Sequence, residues 1–291
     1  MPPSVDDPAE PSPDSAVSAR PVARGRNLPQ AVGTALVLLA LIAGAYLAGS
    51  DGFFVLALVV IVLALFELLD ALKARGRRVV VTFELAVCIA MLVAAYLRPK
   101  ELGYLLAAAG LGVLGTFILG LQRGRGTQPA TDVAWAMLPL VWVGGAGAAA
   151  VLILTLPSGL NLLVAHVLIT ALADIGAFFT GTSFGRHKMA PAISPAKSWE
   201  GFAGGLVAAV VGGAGAGLAI EDLGILHGVT VGVIIGLLAP AGDLSESMVK
   251  RELGIKDSGR MLPGHGGMLD RLDAILFCAP AVLVYLRTVV F

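Results

Sequence analysis

Apolar runs recur along the whole chain, and short polar segments separate them. A helix of roughly twenty apolar residues spans the hydrocarbon core of a bilayer, because each residue adds about 1.5 Å. The pattern therefore predicts an all-α, polytopic integral membrane protein with about nine transmembrane helices. The predicted spans are 29–49, 53–72, 79–97, 102–121, 133–155, 160–181, 201–220, 224–242 and 273–290.

The composition agrees with this class, since 57% of the residues are hydrophobic and only 14% are charged. The lysines and arginines then orient the spans, because cytoplasmic loops carry most of these cations. With the N-terminus in the cytoplasm and the C-terminus outside, only Arg98, Lys100 and Arg287 of the 20 cations lie on the far side. We expect a multi-pass protein of the inner or plasma membrane, with the lipid bilayer as a partner and no nucleic acid.

The chain divides into three parts by composition. Residues 1–27 are rich in Pro, Ser, Ala and Asp and cannot build a core, so they are predicted to be a disordered cytosolic tail. Residues 28–158 are predicted to form N-terminal transmembrane helices. Residues 159–291 are predicted to form a catalytic transmembrane region, because they hold most of the polar residues that could bind a ligand or take part in catalysis.

Acidic residues inside apolar runs fall toward one face of the predicted membrane. We expect Glu67, Asp70 and Glu84 to reach the interface beside nearby loop cations, as long polar side chains at span ends do. For Asp174 and Asp243 we instead expect a functional role. An unpaired charge at the depth of Asp174 is costly, which predicts a cation or metal partner and a functional role.

The segment 243–273 carries an unusual set of charges, glycines and one histidine. Asp270 and Asp273 are three residues apart and share a helix face, so both can point at one cation. His265 offers a donor, and Gly266 and Gly267 allow backbone N–H groups to approach phosphate oxygens. Neighbouring cations can neutralise a highly charged anion such as a nucleoside triphosphate. These cations are Lys250, Arg251, Lys256, Arg260 and Arg271.

A second polar loop, 181–201, lies on the same predicted membrane face. Ser194, Lys197 and Glu200 can contact phosphate, while Ser198 is equally placed to begin the next helix as its cap. The glycines of the following span repeat at four-residue spacing and predict close helix packing. The sequence has neither a GxxxxGK[ST] loop nor a dinucleotide-binding fingerprint, so a nucleotide must be held in another way.

The two polar segments resemble signatures of the phosphatidate cytidylyltransferases, also called CDP-diacylglycerol synthases. In the later segment the resemblance is carried by Ser247, Lys250, Arg251, Lys256, Asp257 and the run HGGMLDRLD that ends at Asp273. The earlier stretch, 174–201, is similar to the family's DTGAYxxG and ISPKKTWEG segments. It departs from them at Ile175, Phe178, Ala196 and Ser198, and it keeps Asp174, Lys197 and Glu200. The first five spans resemble the family only in hydropathy.

The resemblance implies that CTP and phosphatidate react to give CDP-diacylglycerol and pyrophosphate at the cytoplasmic face, with one or two Mg²⁺ ions. It suggests Asp243 and Asp270 as metal ligands, with Asp273 as a third or supporting carboxylate. Lys250 and Arg251 would bind phosphates, and Ser247 would orient a phosphate or a bound water. His265 would donate to the departing pyrophosphate. The remaining matched residues are expected to bind substrate: Asp174, Ser194, Lys197, Glu200, Lys256, Asp257, Gly266, Gly267 and Arg271.

Two other functions fit part of the pattern. A CTP-dependent lipid kinase would transfer the γ-phosphate and release CDP. An ion-coupled transporter would also contain acids within its spans, although it would place them near the midplane of two repeated halves. No internal repeat is evident, and the acids gather toward one face. The glycine-rich helices also permit a homodimer.

Overall fold

The computed structural model describes residues 28–122, 129–255, 258–259 and 266–291, so the predicted tail lies outside the described residues. Within these residues the chain forms ten α-helices and one β-hairpin. The helices are α1 Leu28–Leu47, α2 Gly49–Ala74, α3 Val81–Leu97, α4 Leu102–Gln122, α5 Pro129–Pro139, α6 Ala146–Leu154, α7 Gly159–Phe184, α8 Trp199–Ala219, α9 Gly224–Glu252 and α10 Leu269–Tyr285. The antiparallel strands are β1 Lys188–Ala190 and β2 Ser194–Ser198.

Seven helical segments in the described part of the chain are long and apolar enough to cross a membrane. One of them, Ala130–Leu154, joins α5 to α6 through the π-helical turn Leu140–Gly145. The other two predicted spans coincide with α1 and α3, whose apolar stretches are shorter. The structure confirms an all-α, multi-pass membrane protein, and the count of nine spans stays a prediction.

Helix α6 forms the centre of the bundle. All nine of its residues are buried, and α2, α3, α7 and α10 pack around it. A helix that is apolar on every side needs neighbours on every side, which explains its central place. Helix α4, by contrast, lies at the periphery with mostly exposed apolar side chains.

Glycines bring α8 close to both of its neighbours, as the four-residue spacing predicted. A β-carbon at Gly205 would lie 2.9 Å from the Ala173 carbonyl oxygen of α7. A β-carbon at Gly213 would lie 2.9 Å from the Gly232 α-carbon of α9. These contacts confirm the predicted packing role, and they occur within the chain itself.

Side-chain contacts bring several polar segments together at one end of the bundle. Arg75, after α2, donates to the Gly254 carbonyl after α9 at 2.8 Å. Arg251, near the end of α9, donates to the Ile193 carbonyl between the two strands at 3.3 Å. The ends of α2, α7 and α9 and the start of α8 therefore lie at one end of the bundle.

The expectation that Glu67 and Glu84 reach the membrane interface is wrong. Their exposed fractions are 5% and 1%, because other helices supply hydrogen-bond donors for both carboxylates. Thr116 of α4 donates to Glu84 at 3.0 Å, and Met268 and Leu269 donate backbone N–H groups to Glu67. Asp70, on the same helix as Glu67, is exposed.

Candidate active site

The last turns of α9 and the first turns of α10 supply the centre of the candidate site. Asp243, Glu246 and Lys250 recur on α9 at three- and four-residue spacing, which places them on one helix face. Gly242 lets α10 approach closely, since a β-carbon there would lie 3.1 Å from both the Ala274 α-carbon and the Asp273 carbonyl oxygen. The absence of a side chain at Gly242 thus sets the two helices within reach of each other.

Three carboxylates converge between these helices. Asp243 and Glu246 of α9 and Asp273 of α10 each offer an oxygen, and these oxygens lie within 4.8 Å of one another. Glu246 and Asp273 are buried, whereas Asp243 opens toward solvent with 42% of its side chain exposed. Oxygen ligands of this kind suit Mg²⁺, so the three acids fit a divalent cation.

Glu246 was not among the predicted ligands. Its spacing, three residues after Asp243 and four before Lys250, placed it on the same helix face and could have identified it. The structure also leaves its Oε1 atom buried with no hydrogen-bond partner among the described residues. A bound cation would satisfy such an atom, which adds to the fit.

Asp270 lies beside this acidic group but has different partners. Lys250 donates to it at 2.8 Å and donates equally to Glu246 at 2.8 Å. The Gly267 N–H donates to Asp270 at 2.8 Å, and the Ser258 N–H lies 3.3 Å away. Its predicted roles in metal binding and catalysis stay predictions, and the structure gives it the additional task of anchoring Lys250.

Lys197 brings the β-hairpin to the acidic group. It forms an ion pair with Asp243 and donates to the Pro240 carbonyl at 3.2 Å. Only 19% of the Lys197 side chain is exposed, so this cation is held between β2 and α9. The structure thus joins the two sequence segments that were predicted to form one site.

The other predicted residues of the hairpin region have local roles. Ser198 accepts from the Gly201 N–H at 3.2 Å and caps α8, which confirms that it begins the helix. Glu200 accepts from the backbone of Arg186 and His187 and pairs with the His187 ring at 2.6 Å. These contacts tie the start of α8 to the segment between α7 and β1. Ser194 is half-buried on β2 and pairs with Ala190 in the strand register.

Three further predicted residues border the acidic group. Asp174 on α7 is exposed, and the charges of Asp243, Lys197 and Arg271 act on it. Arg271 is exposed beside Asp270 at the start of α10. Ser247 is half-buried one turn after Asp243. The cation or metal partner predicted for Asp174 stays a prediction.

The two described glycines of the HGG motif have conformational and packing roles. Gly266 has a φ of +85°, a left-handed conformation that favours glycine. A β-carbon at Gly267 would lie 2.7 Å from Glu67 Oε2 and 2.8 Å from the Gly259 nitrogen, so no side chain fits there. His265, Lys256 and Asp257 lie outside the described residues, and their predicted roles stay predictions.

The combined arrangement suits chemistry on phosphates. Lys197, Lys250 and Arg251 place positive charge around a group of acids at one end of the bundle. The acids can hold a divalent metal ion. The basic side chains can bind phosphate oxygens with the N–H groups that do not donate to the acids. Such a site can neutralise a polyphosphate and orient it for attack.

The sequence of the chain is similar to those of known proteins, both at the candidate site and outside it. A profile of the cytidylyltransferase family matches residues 29–289. A phosphatidate cytidylyltransferase from Mycobacterium bovis is 48% identical over 114 residues, 39% of this chain and 37% of that protein. Proteins of the same name from Haemophilus influenzae and Brucella suis are each 41% identical, over 133 and 135 residues. These matches cover 42% and 46% of this chain and 44% and 49% of the two relatives.

Each match thus spans less than half of the relative's length, while the family profile spans nearly the whole chain. The profile includes the N-terminal helices, for which the sequence motifs offered no specific likeness. The resemblance stated from residues 174–273 is confirmed, and the chain belongs to the cytidylyltransferase family.

Proposed function

We propose that this chain is a phosphatidate cytidylyltransferase, which converts CTP and phosphatidate into CDP-diacylglycerol and pyrophosphate. The observation that carries the proposal is the group formed by Asp243, Glu246 and Asp273 between α9 and α10, with Lys197 and Lys250 against it. Membership of the cytidylyltransferase family and the names of three relatives support the choice of CTP and phosphatidate.

The reaction needs positioning and charge neutralisation more than a strong base. An oxygen of the phosphatidate phosphate attacks the α-phosphorus of CTP and forms a new P–O bond. The bond from the α-phosphorus to the bridging oxygen breaks, and pyrophosphate leaves with that electron pair. Because the attacking phosphate is already an anion, binding the two anions in line supplies most of the acceleration.

The residues of this chain would divide that work between them. Lys250 and Arg251 would bind phosphate oxygens, and Lys197 and Arg271 would offset the charge of the second anion. Ser247 would orient a phosphate, and His265 would donate to the departing pyrophosphate. The remaining predicted contacts to substrate are assigned to Asp174, Ser194, Glu200, Lys256, Asp257, Gly266 and Gly267.

Mg²⁺ is the proposed cofactor, as one ion or two. Asp243, Glu246 and Asp273 would hold it, with Asp270 beside them, and it would supply charge neutralisation for phosphate oxygens. The donor set supports this choice, since its three described members are all carboxylates.

The topology proposed for this function has nine spans, with the N-terminus in the cytoplasm and the C-terminus outside. It places the site at the cytoplasmic face of the plasma membrane, where CTP is available. The contacts of Arg75 with Gly254 and of Arg251 with Ile193 support this arrangement, because they join the cation-rich loops at one end of the bundle. A homodimer is also proposed, although the glycines of α8 are used within the chain.

Labelled CTP tests the reaction directly. The protein is reconstituted into vesicles that contain phosphatidate and is supplied with CTP labelled at either the α- or the γ-phosphorus. We expect α-label in the lipid and γ-label in pyrophosphate, and loss of both products when EDTA removes Mg²⁺. Transfer of γ-label to lipid would instead identify a kinase, and ion flux without CTP turnover would identify a transporter.

Variants of two acids near the ends of α9 and α10 control this experiment. Asp270→Asn should abolish CTP turnover while the protein remains inserted at normal levels, because it removes the charge that anchors Lys250. Glu252→Gln changes an exposed acid at the end of α9 and should leave turnover unchanged. Substantial activity in Asp270→Asn would remove Asp270 from the proposed machinery.

A further inference from the structure

Glu67 of α2 reaches the start of α10 from the N-terminal half of the chain. Its Oε2 atom accepts hydrogen bonds from the Met268 N–H at 2.5 Å and the Leu269 N–H at 3.1 Å. Only 5% of Glu67 is exposed, so both bonds form in a protected environment. A charged acceptor in such a place makes stronger hydrogen bonds than a neutral one.

Helix α10 begins without a side-chain cap from its own N-cap residue. Met268 stands at the N-cap position and makes no capping hydrogen bond with its side chain. The first N–H groups of a helix have no partner within the helix, and the helix dipole favours a negative charge beside them. Glu67 supplies both the acceptor and the charge, from a position 201 residues earlier in the sequence.

The surroundings of Glu67 leave little room at Gly267. Gly267 lies directly against it, because a β-carbon on Gly267 would be 2.7 Å from Glu67 Oε2. The Gly267 N–H in turn donates to Asp270 at 2.8 Å. The Glu67 carboxylate therefore lies against Gly267 and accepts from the first two N–H groups at the start of the helix.

The position of α10 decides where two acids of the site lie. Asp270 is the second residue of this helix, and Asp273 follows one turn later on the same face. Asp273 must reach Asp243 and Glu246 on α9, and Asp270 must reach Lys250. A shift of the helix start by a fraction of a turn would separate both contacts.

We propose that Glu67 is a positioning residue for the active site, which caps α10 so that Asp273 joins the acidic group and Asp270 holds Lys250. Glu67 touches neither substrate nor metal in this role. The activity readout rests on the proposed cytidylyltransferase function, whereas the structural readout does not.

The test compares Glu67→Gln with the wild-type protein in detergent micelles, without substrate or metal. Hydrogen–deuterium exchange across residues 266–272 reports the protection of the Met268 and Leu269 amides. We expect exchange in this segment to accelerate on the order of tenfold, because a charged acceptor is lost. Exchange in α6 and α8 should stay as in the wild type.

Two matched controls separate positioning from general stability. Glu84→Gln changes another buried acid, which lies on α3 and accepts a hydrogen bond from Thr116 of α4. Asp70→Asn changes an exposed acid one turn after Glu67 on the same helix. Neither should alter exchange in residues 266–272 or the Mg²⁺ requirement for turnover. Glu67→Asp, which keeps the charge on a shorter side chain, should recover part of the protection.

The activity readout is the Mg²⁺ concentration at half-maximal turnover, which should rise roughly tenfold in Glu67→Gln as Asp273 loses its alignment. Unchanged exchange in residues 266–272 would overturn the proposal, as would an equal acceleration throughout the protein. If the wild-type protein lacks the proposed turnover, the exchange experiment still decides whether Glu67 holds α10. The experiments therefore distinguish failure of the positioning role proposed for Glu67 from failure of the proposed function.

Discussion

The ammonium group of Lys250 lies 2.8 Å from a carboxylate oxygen of Asp270, and this contact joins α9 to α10 at the centre of the candidate site. The exposed fractions of the two side chains are 16% and 12%, so water screens the pair only weakly. Glu246 shares the same ammonium at 2.8 Å. Lys250 therefore offsets two acids at once, and its loss would leave both buried without this counter-charge.

Replacing Lys250 by Met should destabilise the protein and stop turnover. Leaving buried partners of an ion pair uncompensated costs about 3–5 kcal/mol. Thermal unfolding in detergent measures the loss of stability, and labelled CTP measures the loss of activity. In the Lys250→Met background, Asp270→Asn should lower the free energy of unfolding by less than it does in the wild-type protein, because the two residues share one interaction. Additive effects in this double-mutant cycle would contradict the coupling.

Glu246→Gln should weaken the response to Mg²⁺. The change removes one carboxylate of the acidic group and keeps the size of the side chain, so we expect the Mg²⁺ concentration at half-maximal turnover to rise on the order of tenfold. The stabilisation of the protein by Mg²⁺ in thermal unfolding should fall in parallel. Glu252→Gln, on the exposed end of the same helix, is the matched control. An unchanged Mg²⁺ titration would exclude Glu246 from the metal site.

Lys197→Met should impair substrate binding more than folding. Lys197 holds β2 against α9 through Asp243 and the Pro240 carbonyl, and its proposed role is to bind substrate phosphate. We expect the KM for CTP or phosphatidate to rise roughly tenfold, since a charge-assisted contact is lost. Lys188→Met removes an exposed cation from β1 of the same hairpin. Equal kinetic effects in both variants would indicate a general loss of positive charge and contradict a specific role for Lys197.

Gly213→Leu should separate α8 from α9. A β-carbon at Gly213 would lie 2.9 Å from the Gly232 nitrogen, so a larger side chain forces the two backbones apart. Overpacking of this kind costs about 1–3 kcal/mol, which thermal unfolding can detect. Gly215→Leu is the matched control, because a β-carbon at Gly215 would have no neighbour within 4 Å. Similar unfolding temperatures for the two variants would contradict a packing role for Gly213.

Much of the fold was predictable because membrane insertion depends on local composition. Seven of the predicted spans coincide with helices long enough to cross a bilayer, and the glycine spacing in α8 predicted its close packing. Local sequence also indicated Ser198 as a helix cap. The shared helix face of Asp243 and Lys250 follows from helical periodicity alone.

Contacts between distant segments could not be read in the same way. The expectation for Glu67 failed because its donors belong to Met268 and Leu269, far away in sequence. The pairing of Lys197 with Asp243 likewise depends on how the hairpin folds onto α9. Sequence periodicity assigns a side chain to a helix face and does not identify the helix that covers that face.

The sequence by itself determined the membrane class, the positions of most spans and the two polar segments that carry the chemistry. Those features follow from hydropathy, helical periodicity and motif spacing, which are properties of short stretches of chain. Only the tertiary structure decided that Glu246 joins Asp243 and Asp273, and that Glu67 caps α10. These choices depend on which buried polar groups meet across helices, because each such group must find a partner once it leaves water.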